Sequence, residues 1–232
     1  MIRRHKERHK TLRPAVHDII IGLSDGLTVP FAIAAGLASA AASDATIIIA
    51  AVVSEIIAGS ISMGLGGYLA GATEADHYAA ERKREEWEVE NKAEVEKAEV
   101  VEIFEKFGLT HDESRRVTES LAERKDDWID FMMRFELGLD VADKNQSLKS
   151  AATIGISYIV GGVIPLAPYL VFSHNVSLAF SASIGVTFVA LLIFGYIRGR
   201  LIDAHPWRGM LQTVLVGAVA AGAAFLLARL IP

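Results

Sequence analysis

The stretch Ser54–Trp87, "SEIIAGSISMGLGGYLAGATEADHYAAERKREEW", changes from almost wholly apolar to densely charged within a few residues. Its first part, to about residue 72, completes an apolar run long enough to cross a bilayer, which takes roughly 20 residues. Neither proline nor glycine occurs between Ala72 and Phe107, so a helix begun in the membrane can continue into water. The stretch therefore predicts a membrane protein whose second span leads into a soluble helical segment.

The rest of the chain has the composition of a membrane protein. Of its 232 residues 52% are apolar, and the mean hydropathy is positive. Five segments are long and apolar enough to span a bilayer, near 16–41, 45–72, 150–172, 176–198 and 209–231. The predicted fold class is an all-α, polytopic membrane protein with five transmembrane helices and a helical domain inserted between helices two and three.

The distribution of lysine and arginine predicts the orientation of the spans. Of the 23 basic residues, 22 precede the first span, lie between spans two and three or flank the link between spans four and five, and Arg229 lies on the other side. Basic segments stay cytosolic, which puts the N-terminus and residues 74–147 in the cytosol. The predicted domains are a basic cytosolic tail (1–15), helices one and two (16–73), the cytosolic domain (74–147) and helices three to five (148–232).

Residues 74–147 carry 22 of the 28 acidic and 12 of the 23 basic residues, a net charge of −10 that favours divalent cations over nucleic acid. Helix signals divide the segment. Asn91 and Glu94 resemble a capping pair that would break the first helix near residue 91, and Gly108 would end it. Thr110, with Glu113 three residues later, predicts the start of a second helix, and "DDWIDFMMRFELG" predicts a third.

Glutamates of the first soluble helix recur with helical spacing. Five of them fall on nearly one stripe at 100° per residue, namely Glu81, Glu85, Glu88, Glu96 and Glu99. A solvated helix face is one explanation, but like charges at this spacing repel, and a multivalent cation would remove that repulsion. "MMRFE" could add ligands from the third helix through Met132, Met133 and Glu136, although methionine also commonly fills hydrophobic cores.

Asp25, in "GLSDGLTVPF", and Glu55 are ionisable groups inside predicted spans. Such groups are energetically costly and by default indicate function. No lysine or arginine occurs between Pro14 and Glu81 to pair with them, so a metal cation or a proton is the natural partner. Two further acids, Asp18 and Asp44, suit helix ends at the lipid headgroups instead.

Other classes of site are not indicated. The chain has no cysteine, so a metal would be bound by carboxylate, imidazole, thioether or backbone, a set that fits Fe²⁺ or Mn²⁺. There is no P-loop, no Gly-x-Ser-x-Gly motif and no nucleophile triad, so we expect neither an enzyme nor an ATP-driven pump.

Several long motifs resemble the vacuolar iron transporter family, which includes plant and yeast transporters and prokaryotic relatives. They are "DIIIGLSDGLTVPFAIAAGL", "SEIIAGSISMGLGGYLAGATEADHY", "FMMRFELGL", "YIVGGVIPLAPYL" and "ALLIFGYIRG". The resemblance runs from about His9 to the C-terminus. It implies a homodimer with a cytosolic metal-binding domain, in the vacuolar membrane of a eukaryote or the cell membrane of a prokaryote. It also implies export of Fe²⁺, and of Mn²⁺, Zn²⁺ or Co²⁺ in some members, in exchange for protons and without a prosthetic group.

The resemblance also assigns roles to individual residues. By motif, Asp25, Glu55 and Met63 match the translocation path of the family. The cytosolic metal ligands are matched by Glu85, Glu88, Glu96, Glu99, Met132, Met133 and Glu136. The predicted function is proton-coupled export of Fe²⁺ from the cytosol. The alternatives are a manganese or broad-range exporter on the same scaffold, and a membrane-tethered metal buffer or sensor in which the membrane part only dimerises.

Overall fold

The computed structural model describes residues 14–39, 44–141, 144–202, 205–228 and 230. The predicted tail 1–15 therefore lies almost wholly outside the described residues, as does Arg229. The described residues form eight α-helices and no strand, which confirms the all-α prediction. The helices are α1 (Pro14–Ser39), α2 (Ala45–Asn91), α3 (Ala93–Lys106), α4 (His111–Ala122), α5 (Lys125–Phe135), α6 (Lys144–Val171), α7 (Val176–Leu201) and α8 (Pro206–Ala228).

Five of these helices, α1, α2, α6, α7 and α8, are long and apolar enough to cross a membrane, as predicted. Helix α2 has 47 residues, because its apolar first half continues into the charged second half without interruption. Helix α6 begins several residues before the predicted span, since the polar segment before Ser150 is also helical. The chain divides into two compact units, one from the described residues up to Tyr68 with those from Leu148 onward, the other Leu69–Ser147.

In the first unit, small residues bring three helices close together around Tyr158 of α6. A Cβ atom at Gly22 or Gly26 of α1 would lie 2.3 Å from the carbonyl oxygen of Ile154 or Tyr158. On α2, a Cβ atom at Gly59 would lie 2.6 Å from the Tyr158 hydroxyl. Glycine is therefore required at these positions, because any side chain would push the helices apart. Close packing leaves Tyr158 only 2% exposed.

The second unit has its own hydrophobic cluster, to which α2, α3 and α5 all contribute. Its buried members are Val89, Val100, Trp128, Ile129, Met132 and Met133. Two ion pairs join α2 to α5 outside this cluster, Arg82 with Asp130 and Glu90 with Lys125. These pairs tie the start and the middle of α5 to α2, which helps to fix the position of the residue that follows α5.

The predicted helix signals in this unit are confirmed in part. Thr110 and Glu113 form the expected capping box at the start of α4. Gly108 has φ +94° and ends α3 in a Schellman motif, with the Leu109 amide donating to the Phe104 carbonyl at 3.3 Å. Helix α5 ends at Phe135, three residues before the predicted end at Gly138.

The predicted capping role of Asn91 is wrong, although the break near residue 91 is present. The side-chain amide nitrogen of Asn91, Nδ2, donates to the Trp87 carbonyl at 2.8 Å, one turn back along α2. Lys92, with φ −133° and ψ 31°, is the residue between α2 and α3, and no side chain caps α3.

The packing around Tyr158 can be tested by adding one methyl group. We expect Gly26→Ala to destabilise the protein by roughly 1–3 kcal/mol, the usual cost of overpacking a tight core. Gly185→Ala on α7 is the matched control, because a Cβ atom there meets nothing within 4 Å. Thermal unfolding of the detergent-solubilised full chain measures both. Equal melting temperatures for Gly26→Ala and the wild type would contradict the close approach.

Candidate metal centre and membrane carboxylates

Three carboxylates from separate elements meet in the second unit. Glu85 of α2, Glu96 of α3 and Glu136, the C-cap of α5, each place one oxygen within 4.8 Å of the others. Oxygen atoms at this separation can bind one divalent ion together, since metal–oxygen distances are about 2.0–2.6 Å. We refer to Glu85, Glu96 and Glu136 as the carboxylate cluster.

The cluster depends on the change of chain direction at Lys92. Glu85 and Glu96 are eleven residues apart, a distance of about 16 Å along a straight helix. They meet because the helix ends at Asn91 and a new one begins at Ala93, with Val89 and Val100 packed in the same hydrophobic cluster. The break that separates the two helices therefore brings their acids together.

The cluster lies where water solvates it poorly. Glu85 is only 1% exposed, and its Oε1 atom has no hydrogen-bond partner. Burial, together with the charges of Glu96 and Glu136, raises the pKa of Glu85 to about 8. Burial and the charge of Glu99 raise the pKa of Glu96. Without a metal, Glu85 thus carries a proton at neutral pH.

Glu136 is the most accessible member, and its pKa is raised as well. Loss of hydration and the charges of Glu99 and Glu96 bring the pKa of Glu136 to about 6. The charge of Glu88 acts on all three members in the same direction. The structure therefore places Glu88 and Glu99, both predicted from the stripe, within electrostatic range of the cluster. Glu81 instead forms an ion pair with Arg84 at 2.9 Å.

The two methionines predicted as ligands lie in the hydrophobic cluster. Met132 and Met133 are 0% and 1% exposed and pack with Trp128 and Ile129. The Met132 carbonyl accepts a hydrogen bond from the Glu136 amide at 3.0 Å, which fixes the start of the Glu136 side chain. Packing is therefore a role that both methionines have in this structure. Their role as thioether ligands stays a prediction.

In the first unit, Glu55 of α2 is half-buried and accepts a hydrogen bond from the Tyr158 hydroxyl. Its other oxygen, Oε2, is buried without a hydrogen-bond partner. Asp25 of α1 is also half-buried, directly before Gly26, which packs on Tyr158, and its charge acts on the Tyr158 hydroxyl. Tyr158 thus links the surroundings of the two membrane acids.

The third residue predicted for the path, Met63, lies on α2 eight residues after Glu55 and is half-buried. Eight residues correspond to about 12 Å along the helix axis, so Met63 belongs to a different level of the membrane unit. Any role for Met63 is therefore separate from the site that Glu55 and Tyr158 form.

Sequence reasoning missed Tyr158. A tyrosine in an apolar span looks like an ordinary core residue, and only the glycines at 22, 26 and 59 signalled close contact. Asp18, predicted to lie at the headgroups, is near the start of α1; it is 5% exposed, and its Oδ2 atom has no hydrogen-bond partner. It precedes Asp25 by two helical turns, a spacing that the sequence displayed. Asp44 is exposed as expected and accepts from the Thr46 amide at 2.8 Å.

The fold and the acids together define an integral membrane protein with five spanning helices and a carboxylate cluster of the kind that binds divalent cations. The family model described as the VIT family matches residues 16–229. The chain belongs to the VIT family. It is 48% identical to vacuolar iron transporter 1 of Arabidopsis thaliana, over 98% of this chain and 90% of the relative.

Other relatives extend the likeness beyond that plant protein. The chain is 49% identical to the vacuolar iron transporter of Centaurea cyanus, over 99% of this chain and 93% of the relative. It is 38% identical to protein CCC1 of Saccharomyces cerevisiae, over 93% of this chain and 69% of the relative.

The buried carboxyl group of Glu85 should reduce stability at neutral pH. Its folded pKa of about 8 exceeds the ordinary value of 4.5, so the folded state binds the proton more tightly. The contribution of Glu85 to the free energy of unfolding is fully present below about pH 4.5 and is lost as pH rises through about 8. In a metal-free fragment 69–147, Glu85→Gln should therefore raise the free energy of unfolding at pH 8 by at least about 1 kcal/mol.

Denaturant unfolding of that fragment at pH 5 and pH 8 measures the effect. Glu102→Gln is the control, since Glu102 lies exposed on α3 and pairs with Lys106 at 3.1 Å. A Glu85→Gln variant that is less stable than the wild type at pH 8 would show that the carboxylate is favourably accommodated without metal.

Proposed function

We propose that this protein moves Fe²⁺ from the cytosol into a vacuole, or across the cell membrane of a prokaryote, in exchange for protons. Relatives named vacuolar iron transporter support this role, because they match nearly the whole chain. The observation that carries the proposal is the cluster of Glu85, Glu96 and Glu136, whose oxygens converge within 4.8 Å.

The first step is capture of the ion by the second unit, which the distribution of basic residues assigns to the cytosol. Three carboxylates in one poorly hydrated place repel one another, and a divalent cation relieves that repulsion. Binding displaces the proton that Glu85 holds, so capture is itself an exchange of metal for proton. Glu88, Glu99 and the thioethers of Met132 and Met133 complete the proposed ligand set.

The second step is passage through the membrane unit. Asp25 and Glu55 supply the negative charge, and Glu55 keeps one oxygen without a hydrogen-bond partner. Tyr158 donates to the other oxygen and so fixes the direction of the carboxylate. We assign Met63 to an earlier position on the same path, because it lies eight residues nearer than Glu55 to the cytosolic end of α2. Protons from the far side then compete for the carboxylates and release the metal.

We propose that the protein assembles with a second copy of the same chain as a homodimer. A homodimer would let the half-buried acids of α1 and α2 face a shared path, as the family resemblance implies. The lipid bilayer and divalent cations are the other expected partners. The carboxylate ligands also suit Mn²⁺, so the proposed cargo is Fe²⁺ with Mn²⁺ as a competitor.

Metal capture is tested on the detergent-solubilised full chain by calorimetry, with Fe²⁺ under anaerobic conditions and Mn²⁺ as an air-stable probe. Changing both Glu85 and Glu96 to Gln should weaken binding at least about tenfold, because charged ligands contribute about 1.5–3 kcal/mol each. Wild-type affinity should rise between pH 6 and pH 8 as the cluster loses its protons.

The control changes two exposed acids outside the cluster, Glu86 and Glu102, to Gln. It removes the same total charge, so it separates ligand loss from a general loss of negative field. Equal weakening in the two double variants would exclude the cluster as the capture site.

Transport is tested by Asp25→Asn, which keeps the size of the side chain but removes its charge and its proton. We expect Fe²⁺ flux into proteoliposomes under a pH gradient to fall to background, because the amide can neither neutralise the ion nor titrate. Asp44→Asn is the control, since Asp44 is exposed at the start of α2 and an amide oxygen can accept the same hydrogen bond from Thr46. Size-exclusion chromatography checks that both variants assemble normally, and undiminished flux in Asp25→Asn would refute its role.

A further inference from the structure

The acids around the carboxylate cluster differ in whether a basic side chain pairs with them. Within the described part of the chain, Glu88 is ion-paired within 4 Å, whereas Glu85, Glu96, Glu99 and Glu136 are not. Lys92 places its Nζ atom 3.0 Å from Glu88 Oε1, and Arg84 places its Nε atom 3.5 Å from Glu88 Oε2. Both oxygens of one proposed ligand therefore already face a positive charge.

Arg84 is shared between two acids on the same helix face. Its Nη2 atom lies 2.9 Å from Glu81 Oε2, while its Nε atom faces Glu88. Glu81 precedes Arg84 by three residues and Glu88 follows it by four, so one guanidinium group can contact both acids. The charge of Arg84 also acts on Glu136, a member of the cluster. Arg84 therefore lies between the cluster and an acid outside it.

We propose that Arg84 is a built-in counterion that competes with the metal for Glu88 and is retained by Glu81 when the metal binds. This inference rests on the proposed function and concerns how the same site releases its ion. A guanidinium group does not lose its proton, so the competition operates at every physiological pH, unlike the proton on Glu85. This competition lowers the affinity of the site for the metal. A captured ion must leave the site again before it can be transported.

Lys92 is the weaker candidate for this role. Its ammonium group lies 5.3 Å from the centre of the Trp87 ring, a cation–π contact that would hold it at the helix break. Arg84 has a second acid to which it can turn, whereas Lys92 contacts Glu88 and the Trp87 ring. The proposal therefore concerns Arg84.

The experiment is Mn²⁺ calorimetry on the full chain in detergent, as a double-mutant cycle. Arg84→Gln should tighten Mn²⁺ binding by roughly three- to tenfold, the range of a partly exposed ion pair acting on a divalent ion. Glu81→Gln should weaken binding, because Arg84 then has Glu88 as its remaining acid. In the Arg84→Gln background, Glu81→Gln should have no effect, because Glu81 acts through Arg84.

Several outcomes would overturn the inference. One such outcome is unchanged Mn²⁺ affinity in Arg84→Gln. Another is equal weakening by Glu81→Gln in the wild type and in Arg84→Gln, which would show that Arg84 and Glu81 affect the site only through their net charge. Arg84→Lys keeps the charge and should bind Mn²⁺ within about twofold of the wild type, whereas tightening equal to that of Arg84→Gln would contradict competition by charge.

Arg115→Gln is the matched control, because Arg115 is also an exposed arginine and pairs at i+4 with Glu119 on α4. Its affinity should equal that of the wild type, and tightening there would also overturn the inference. Circular dichroism confirms the helical content of each variant. If wild-type binding does not depend on Glu85 and Glu96, the proposed function fails, and the inference with it. If it does but Arg84→Gln changes nothing, the inference fails and the proposed function stands.

Discussion

The repulsion between Glu85 and Glu96 is the constraint on which the metal centre depends. The helix break at Lys92 makes the two acids meet, and burial removes the water that would otherwise screen them. Two carboxylates in this position cannot both be ionised unless a cation lies between them. In the metal-free protein a proton on Glu85 meets that requirement, because burial, followed by the charges of Glu96 and Glu136, raises its pKa to about 8. In the proposed function, the metal replaces this proton.

Hydrophobic packing holds the acids together against this repulsion. Met132, Met133 and Trp128 are buried beside Val89 and Val100, the residues that follow Glu85 and Glu96 by one helical turn. Full burial of each large apolar side chain contributes about 1.5–3 kcal/mol, so several of them outweigh one strained carboxyl group. The methionines are thus part of the reason that the cluster persists without an ion.

The sequence predicted features that depend on local pattern and missed those that depend on which helix faces meet. Hydropathy predicted the five spans, and helical spacing predicted the acid stripe, because each of these patterns lies within a single segment of the chain. Tyr158 was not predicted, since its role arises from glycines on α1 and α2 that are about 100 residues or more away. Asn91 does not cap α3, because its side-chain amide donates to the Trp87 carbonyl. This partner is also close in sequence, but the capping pattern does not include it.

The hydrogen bond from Tyr158 to Glu55 explains how a membrane acid can be held in place and still accept a cation. A phenol hydroxyl orients the carboxylate without neutralising it, whereas a lysine or arginine at that position would form a lasting ion pair. No lysine or arginine occurs between Pro14 and Glu81, so α1 and the membrane part of α2 contribute no fixed positive charge of their own. In the proposed function, a mobile cation balances Glu55, either a proton or a metal ion. Exchange of one for the other would then need no further group in the membrane, because either cation neutralises the carboxylate.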